Sequence, residues 1–583
     1  MAWYDEAVFY HIYPLGMLGC PHENDYKECV HRLKRLDNMI PVIKDLGFNA
    51  IYIGPLFESV GHGYETTDYR KLDSRLGTND DLKSFVSKCH KQEIRVILDG
   101  VFNHTGRDFF AFKDIREKRE ASGYLGWYSG VNLGGNNSFN DGFSYNNWGG
   151  YDLLVKLNQQ NPQVQEYIAD VIRFWVSEFD IDGIRLDAAD VLDFGFMQML
   201  RRVADEVKED FYLMGEVIHG EYIRWERDAH IHAVTNYHLG KALYSGHNDH
   251  NYFEVAHTVK RLYDMGGGDP LGLRLYNFAD NHDVERIASI LSNKAHLIPV
   301  YILEYTLPGV PSVYYGSEFG IEGKKGGGDD WAIRPELDLT EHINDINDNP
   351  LTRTIAKLGK IRQSTPALSY GGYEQKLLTN RQYAYTRTMK EDVALVVVNN
   401  DDSPFTMDIG VPSGRYKAML SDQWIDAGGG CIHYEVQGCN GEIFIKDTGN
   451  LKEPEKKSGS KIKTDSVKKP ETAKKTEPEK ETEPEKKTEP EKKPETDKKP
   501  ESVKKPEPEK KQAAKPEAGK EKVSDKKEGF MKIDKPYEEM TVEELQETIL
   551  YKMSLNGPVN DEMKRTVDEN IWRDSLLNWV RSF

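Results

Sequence analysis

Gly183-Ile184-Arg185-Leu186-Asp187-Ala188-Ala189-Asp190 sets a short apolar run directly against a cluster of charged side chains. Arg185 and Asp187 stand two residues apart, so on a strand they point to the same face. A strand that ends in polar groups is what a closed parallel sheet presents at its C-terminal rim, where chemistry is carried. Three other segments repeat the pattern: Asp99-Gly100-Val101-Phe102-Asn103-His104, Gly215-Glu216-Val217 and Ala279-Asp280-Asn281-His282-Asp283.

Working outward, residues 1 to about 350 alternate β-rich runs, polar loops and amphipathic helical patterns. Strands are expected at Val8–Tyr13, Ala50–Ile53, Val96–Asp99, Gly183–Asp187, Tyr212–Glu216, Ala233–Asn236, Leu275–Phe278 and Ser312–Tyr315. Helices are expected at Val30–Leu46, Asp80–Gln92, Pro162–Phe179 and Phe194–Val207, the third opening on a proline suited to a first turn. Eight strands alternating with helices give an α/β chain whose catalytic (β/α)8 barrel spans 1–103 and 159–360; an open doubly wound sheet is the weaker fit. Residues 104–158 are rich in Gly, Asn, Trp and Tyr without a long helical period, and read as a subdomain inserted after strand three. Runs such as Tyr383–Thr386, Ala394–Asn399 and Glu442–Ile445 place an antiparallel β-sandwich at 361–450.

From Leu451 the chain turns into Lys-Pro-Glu quasi-repeats with almost no apolar side chains, so 451–530 is expected to be an extended, disordered linker. Residues 531–583 regain hydrophobic periodicity, with a capped helix start at Met540-Thr541-Val542-Glu543-Glu544 and an amphipathic ending at Ile571–Val580: a small helical module. The chain carries a formal charge of −19. Lysine exceeds acid in the linker, which leaves about −24 on the rest. An acidic body speaks against nucleic acid as partner and suits a neutral polyol. The N-terminus lacks the basic and apolar regions of a signal peptide, and no stretch reaches the length of a membrane span. Five cysteines without metal-ligand spacing suit reduced thiols, so a cytoplasmic location is expected.

Glycoside cleavage with retention needs two carboxyl groups roughly 5–5.5 Å apart, one attacking the anomeric carbon and one protonating the leaving oxygen. Asp187 and Glu216 close neighbouring strands and can face one sugar from two sides, while Arg185 holds the first as an anion. A single aspartate at a strand end is more often a helix cap or loop ligand. Four polar clusters on one rim are not explained that way.

These four segments resemble the signature regions of the alpha-amylase family of glycoside hydrolases, in order and spacing, over about 450 residues. The resemblance implies Asp187 as nucleophile, Glu216 as general acid/base and Asp283 as the carboxylate that stabilises the transition state. It further implies that Asp99, His104, Arg185 and His282 line the subsite of the attacked glucose, with Tyr64 and Asp68 from Gly63-Tyr64-Glu65-Thr66-Thr67-Asp68-Tyr69. Val155-Lys156-Leu157-Asn158, followed by Asn161-Pro162, is similar to the neopullulanase and cyclomaltodextrinase branch, although Val155 stands where proline is usual. Asp330 and Arg334 resemble a pair that grips the next glucose.

With the first strand expected near Val8, the N-terminal β-domain common in that branch is expected to be absent, which implies an open cleft and faster attack on short linear maltooligosaccharides than on cyclodextrins. Calcium is common in the family and Asn103 sits where one ligand would. Val191 departs from the ligand pattern, and no loop has EF-hand spacing, so no metal and no cofactor are expected. Gly266-Gly267-Gly268 reads as a helix-terminating turn, because no Lys-Ser/Thr follows it as a phosphate loop would require. Trp127, Tyr128 and Trp148 are either sugar platforms or the core of the insert. The expected substrate is an α-glucan oligosaccharide joined by α-1,4 links, with α-1,6 links in the same range. A glucanotransferase would share the covalent intermediate, and a non-catalytic glucan binder would not need all three carboxylates.

Overall fold

The computed structural model describes residues 2–265, 273–326 and 330–449, and beyond them 526–527, 530–531, 535, 537, 540–556, 567 and 576. Eight parallel strands close into a barrel in chain order: Phe9–Ile12, Ala50–Ile53, Arg95–Gly100, Gly183–Leu186, Tyr212–Gly215, Ala233–Thr235, Leu275–Asn277 and Val310–Tyr314. Phe9 pairs with Ala50 on one side and with Ser312 on the other, which closes the ring. Each expected strand is present within one or two residues of its expected bounds.

Strand alternation fixes what the barrel holds. Phe9, Ala50, Ile97, Tyr212, Met214 and Tyr276 meet in one buried cluster, plugged from below by Tyr4. Continuing the same alternation brings Asp99 two residues after Ile97, and Glu216 two after Met214, to the C-terminal end of the inward face. The apolar filling and the polar rim are therefore two ends of one side-chain pattern.

The helix Pro162–Phe179 has the expected bounds: the Asn161 side chain accepts from Gln163 N, and Asp180 ends it in the left-handed region. Phe194–Val207 is capped by Asp193, whose side chain accepts from Phe196 N. Val30–Leu46 differs from expectation. It divides into a 3-10 helix, Arg32–Asn38, and a short α-helix, Ile40–Asp45. Pro41 has no N–H and its ring excludes a continuous helix through the preceding turn, so the chain restarts with proline near the new N-terminus.

The insert contains one helix that its composition did not announce, Phe110–Lys118, which turns Ala111, Phe112 and Ile115 inward. Its three-stranded sheet joins His104–Thr105, Tyr151–Lys156 and Asn147–Trp148. Arg107 is nearly buried at its centre, donating to Asp141 Oδ2 at 2.7 Å and Tyr145 Oη at 2.6 Å, with its guanidinium 3.9 Å from the Phe139 ring centroid. After the barrel, a six-stranded antiparallel sheet from Gly372–Leu378 to Asn440–Lys446 packs against the pair Phe405–Gly410 and Cys431–Val436 around Val393, Leu395, Met407, Ile409 and Ile432.

Most of the linker lies outside the described residues, as do Gly266-Gly267-Gly268 and nearly all of Ile571–Val580. In the tail, the helix Val542–Asn556 opens as its sequence predicts: Thr541 N donates to Glu544 Oε2, and Glu544 N donates to Thr541 Oγ1. Among the described residues, no helix is long and apolar enough to cross a membrane.

Arg107→Ala is predicted to lower the stability of the folded chain by about 1.5–3 kcal/mol, because it removes a charge-assisted hydrogen bond to half-buried Asp141, which keeps only Asn137 as a side-chain partner. Chemical denaturation of the two proteins checks this; a loss below about 1 kcal/mol would show that the insert closes without the guanidinium.

Candidate active site

The site is built around Arg185. Its strand pairs with the third strand so that Asp99 faces Arg185, and with the fifth so that Leu186 faces Gly215. Asp187 and Glu216 therefore follow partnered residues and emerge side by side. The buried guanidinium reaches all three acids: Nη1 donates to Asp99 Oδ1 and to Asp187 Oδ1, both at 2.9 Å, and Nη2 lies 2.8 Å from Glu216 Oε2. Glu216 also accepts from Ala188 N at 2.9 Å and from the Tyr237 hydroxyl at 3.2 Å.

The opposite wall carries Asp283, which is the most exposed of the four carboxyls at 35% of its side chain. Arg334 Nη2 lies 3.0 Å from Asp283 Oδ1 and 3.1 Å from Asp330 Oδ2, while Arg334 Nε donates to the His282 carbonyl. Arg286, fully buried, donates to the Ile333 and Tyr315 carbonyls and so fixes the loop that delivers Arg334. His282 Nε2 bonds to the Tyr64 hydroxyl and lies 3.1 Å from Asp283 Oδ2. Those two oxygens assign the ring proton to Nε2. The ring of Tyr64 is stacked at 5.8 Å from that of His282, and its hydroxyl donates to Asp99 Oδ2 at 3.2 Å. Gly63 permits this position, since its φ is +101° and a Cβ there would lie 2.2 Å from Pro55 Cγ.

Burial governs the protonation of the set. It pushes the Glu216 carboxyl up to about 7, with Arg185 opposing and the charge of Asp283 adding. Burial raises the Asp187 and Asp99 carboxyls too, with Arg185 again opposing. Acids gathered on one cation titrate together rather than singly. Burial drives the histidines the other way: His282 is held well below its usual range, and His104 falls to about 3. Both rings are therefore neutral hydrogen-bonding groups at pH 7.

Asp187, Glu216, Asp283, Asp99, Arg185, His282, Tyr64, Arg334 and Asp330 form one connected network. His104 lies at its edge, buried, with Nε2 unpartnered. Asp68 does not join it. Tyr69 points inward and donates to the Val101 and His104 carbonyls, so its neighbour Asp68 faces outward, exposed, and accepts from Arg70 N. Three groups in the network were not singled out from the sequence: Tyr52, which donates to Asp99 Oδ2, and Tyr237 with its partner Asn281. Tyr237 follows the sixth strand, and a polar residue at that rim position was the available signal.

Asn103 Oδ1 accepts from Gln159 Nε2 at 3.2 Å, and Gln159 Oε1 accepts from Asp193 N. Among the described residues, no group of three or more His, Cys, Asp or Glu side chains is arranged to hold a metal.

A parallel barrel whose adjacent strand ends present two carboxyls, with a third across the mouth, has the equipment of a glycoside hydrolase. Residues 32–367 match the alpha amylase catalytic domain and residues 375–463 the alpha amylase C-terminal all-beta domain. The chain belongs to the alpha-amylase family. It is similar to a cyclomaltodextrinase from Bacillus sp, 32% identical over 434 residues that cover 70% of this chain and 75% of the relative. Neopullulanase 2 of Thermoactinomyces vulgaris is 29% identical over 475 residues, covering 76% of each. A solved cyclomaltodextrinase structure superposes with a TM-score of 0.66 at 27% identity, covering 76% of this chain and 78% of the other.

The Glu216 value sets a pH prediction. A carboxyl raised to about 7 keeps its proton below that pH and loses it above, so a rate that needs the acid form falls as pH rises through about 7. The kcat/KM profile on a maltooligosaccharide should show that basic limb. Activity undiminished up to about pH 9 would remove Glu216 as the acid.

Proposed function

We propose that the protein hydrolyses α-1,4-glucosidic bonds of maltooligosaccharides, and α-1,6 bonds of related glucans, with retention of anomeric configuration. The observation that carries this reading is the shared hold of Arg185 on Asp187 and Glu216 at adjacent strand ends. Names among the relatives, cyclomaltodextrinase and neopullulanase, support α-glucans as the substrate class.

In this mechanism Glu216 gives its proton to the glycosidic oxygen as the C–O bond breaks, and an Asp187 carboxylate oxygen forms the new bond to the anomeric carbon. Glu216, now ionised, takes a proton from water. That water attacks the same carbon, displaces Asp187 and restores the first configuration. Asp283, held by Arg334 and His282, receives sugar hydroxyls on the opposite wall. His104 Nε2, buried without a partner, offers a further polar atom to the same sugar. The five cysteines are free thiols, which supports a cytoplasmic setting.

Asp187→Asn and Glu216→Gln are each predicted to lower kcat by about 10²–10⁴-fold or more while the fold is retained. Chromatography of products from maltoheptaose, β-cyclodextrin and pullulan, with NMR of the first-formed anomer, tests the proposal. Inverted product would exclude Asp187 as nucleophile, whereas chiefly elongated products from maltoheptaose would establish glucanotransfer instead of hydrolysis.

A further inference from the structure

The insert ends toward the cleft in a hairpin whose turn is Gly149-Gly150. Both glycines have positive φ, +61° and +84°, as a two-residue turn of this kind requires. Trp148 and Tyr151 flank the turn and are register partners, so their side chains leave the same face of the hairpin. A Cβ on Gly149 would lie 3.2 Å from Tyr151 Cδ2, which places the tyrosine ring over the turn itself. Trp148 is 39% exposed and Tyr151 63% exposed.

The other aromatic candidates of the insert have a different fate. Trp127 and Tyr128 are buried, with Trp127 Nε1 donating to Gln163 and the Tyr128 hydroxyl bonded to Thr105. They form core. Trp148 instead stands with its ring centroid 6.0 Å from that of His104, at the edge of the active site. The hairpin thus carries two large aromatic faces into solvent and is continuous with the cleft through His104.

We infer that the Trp148–Tyr151 hairpin tip is a stacking platform that holds an α-linked glucan chain where it leaves the cleft. The inference rests on the proposed glucan reading and adds where the outer part of the chain is bound. A glucose ring offers an apolar C–H face that matches an exposed aromatic face, and its rim hydroxyls remain in water. The tip has no charged side chain between its two aromatics, only Gly149 and Gly150, so it suits an uncharged polymer. Trp148 acts on the sugar nearest His104, and Tyr151 on the sugars beyond it.

Calorimetric binding of maltohexaose and maltotriose to protein carrying Asp187→Asn tests this without turnover. One stacking contact corresponds to a weakening of Kd by about tenfold for maltohexaose on Trp148→Ala. Trp148→Phe should restore binding to within about threefold, because it returns an aromatic face. Tyr151→Ala should weaken maltohexaose about fivefold and maltotriose by clearly less. Equal losses for both sugars on Tyr151→Ala, or no loss of maltohexaose binding on either alanine variant, would overturn the platform. Tyr151 is the more exposed side chain, so its variant decides the matter if Trp148→Ala fails to fold. In sedimentation, a dimer that Tyr151→Ala dissociates would make the tip a subunit contact and also overturn the inference. Lack of turnover by the unmodified protein on both glucans would count against hydrolysis alone, and binding would still decide the platform.

Discussion

Arg185 is the side chain on which the rest of the site depends. Its guanidinium is buried and stays charged, since arginine does not surrender its proton in a protein. A cation in that position is tolerable only beside anions, and the barrel supplies three from three consecutive strands: Asp99, Asp187 and Glu216. The dependence runs both ways. Without the cation, three carboxyls would share a buried space with nothing to offset their repulsion, so the arginine that orients the nucleophile also permits the acids to be gathered at all.

Five carboxyls, counting Asp283 and Asp330, face three cations, the guanidiniums of Arg185 and Arg334 and the ammonium of Lys325. Fully ionised, the set would be in excess by two negative charges, with Asp99, Asp187 and Glu216 buried. One retained proton halves that excess. Burial is the largest cause of the rise of the Glu216 carboxyl to about 7, with Arg185 opposing and the charges of Asp283 and Asp190 adding. A general acid at neutral pH is therefore a consequence first of burial at the barrel rim and then of the carboxyls gathered there.

Much of this was legible because a strand has a period of two. Arg185 and Asp187 share a face by spacing alone, and the polar ends of the third, fourth, fifth and seventh strands can be read without knowing where they meet. The same rule explains Asp68, one residue from inward-facing Tyr69 and hence turned outward. A motif match assigned it to the site, whereas alternation removes it. Tyr237 and Asn281 act through contacts between loops distant in sequence, and such contacts leave no local period. The division of Val30–Leu46 was written in Pro41, but the apolar spacing on both sides of it masked the break. Helix Phe110–Lys118 is too short to impress a long period on the insert.

The insert shows how a long excursion from the barrel can still define a site. Closing a flexible loop costs entropy that grows only slowly with its length, so the size of the excursion matters less than how its neck is fastened. Here the neck is a sheet: His104 pairs with Lys156 and Thr105 with Val155, and Leu157 N donates to the Asn103 carbonyl. Asn103 is tied in turn through Gln159 to Asp193, the cap of the helix after the fourth strand. Because the two ends of the insert are fastened to each other and to the helix that follows Asp187, the position of its hairpin relative to His104 is set by β-pairing and not by a free loop. Variation of the hairpin tip can then alter which glucans are held without disturbing Arg185, since the fastening lies between the two.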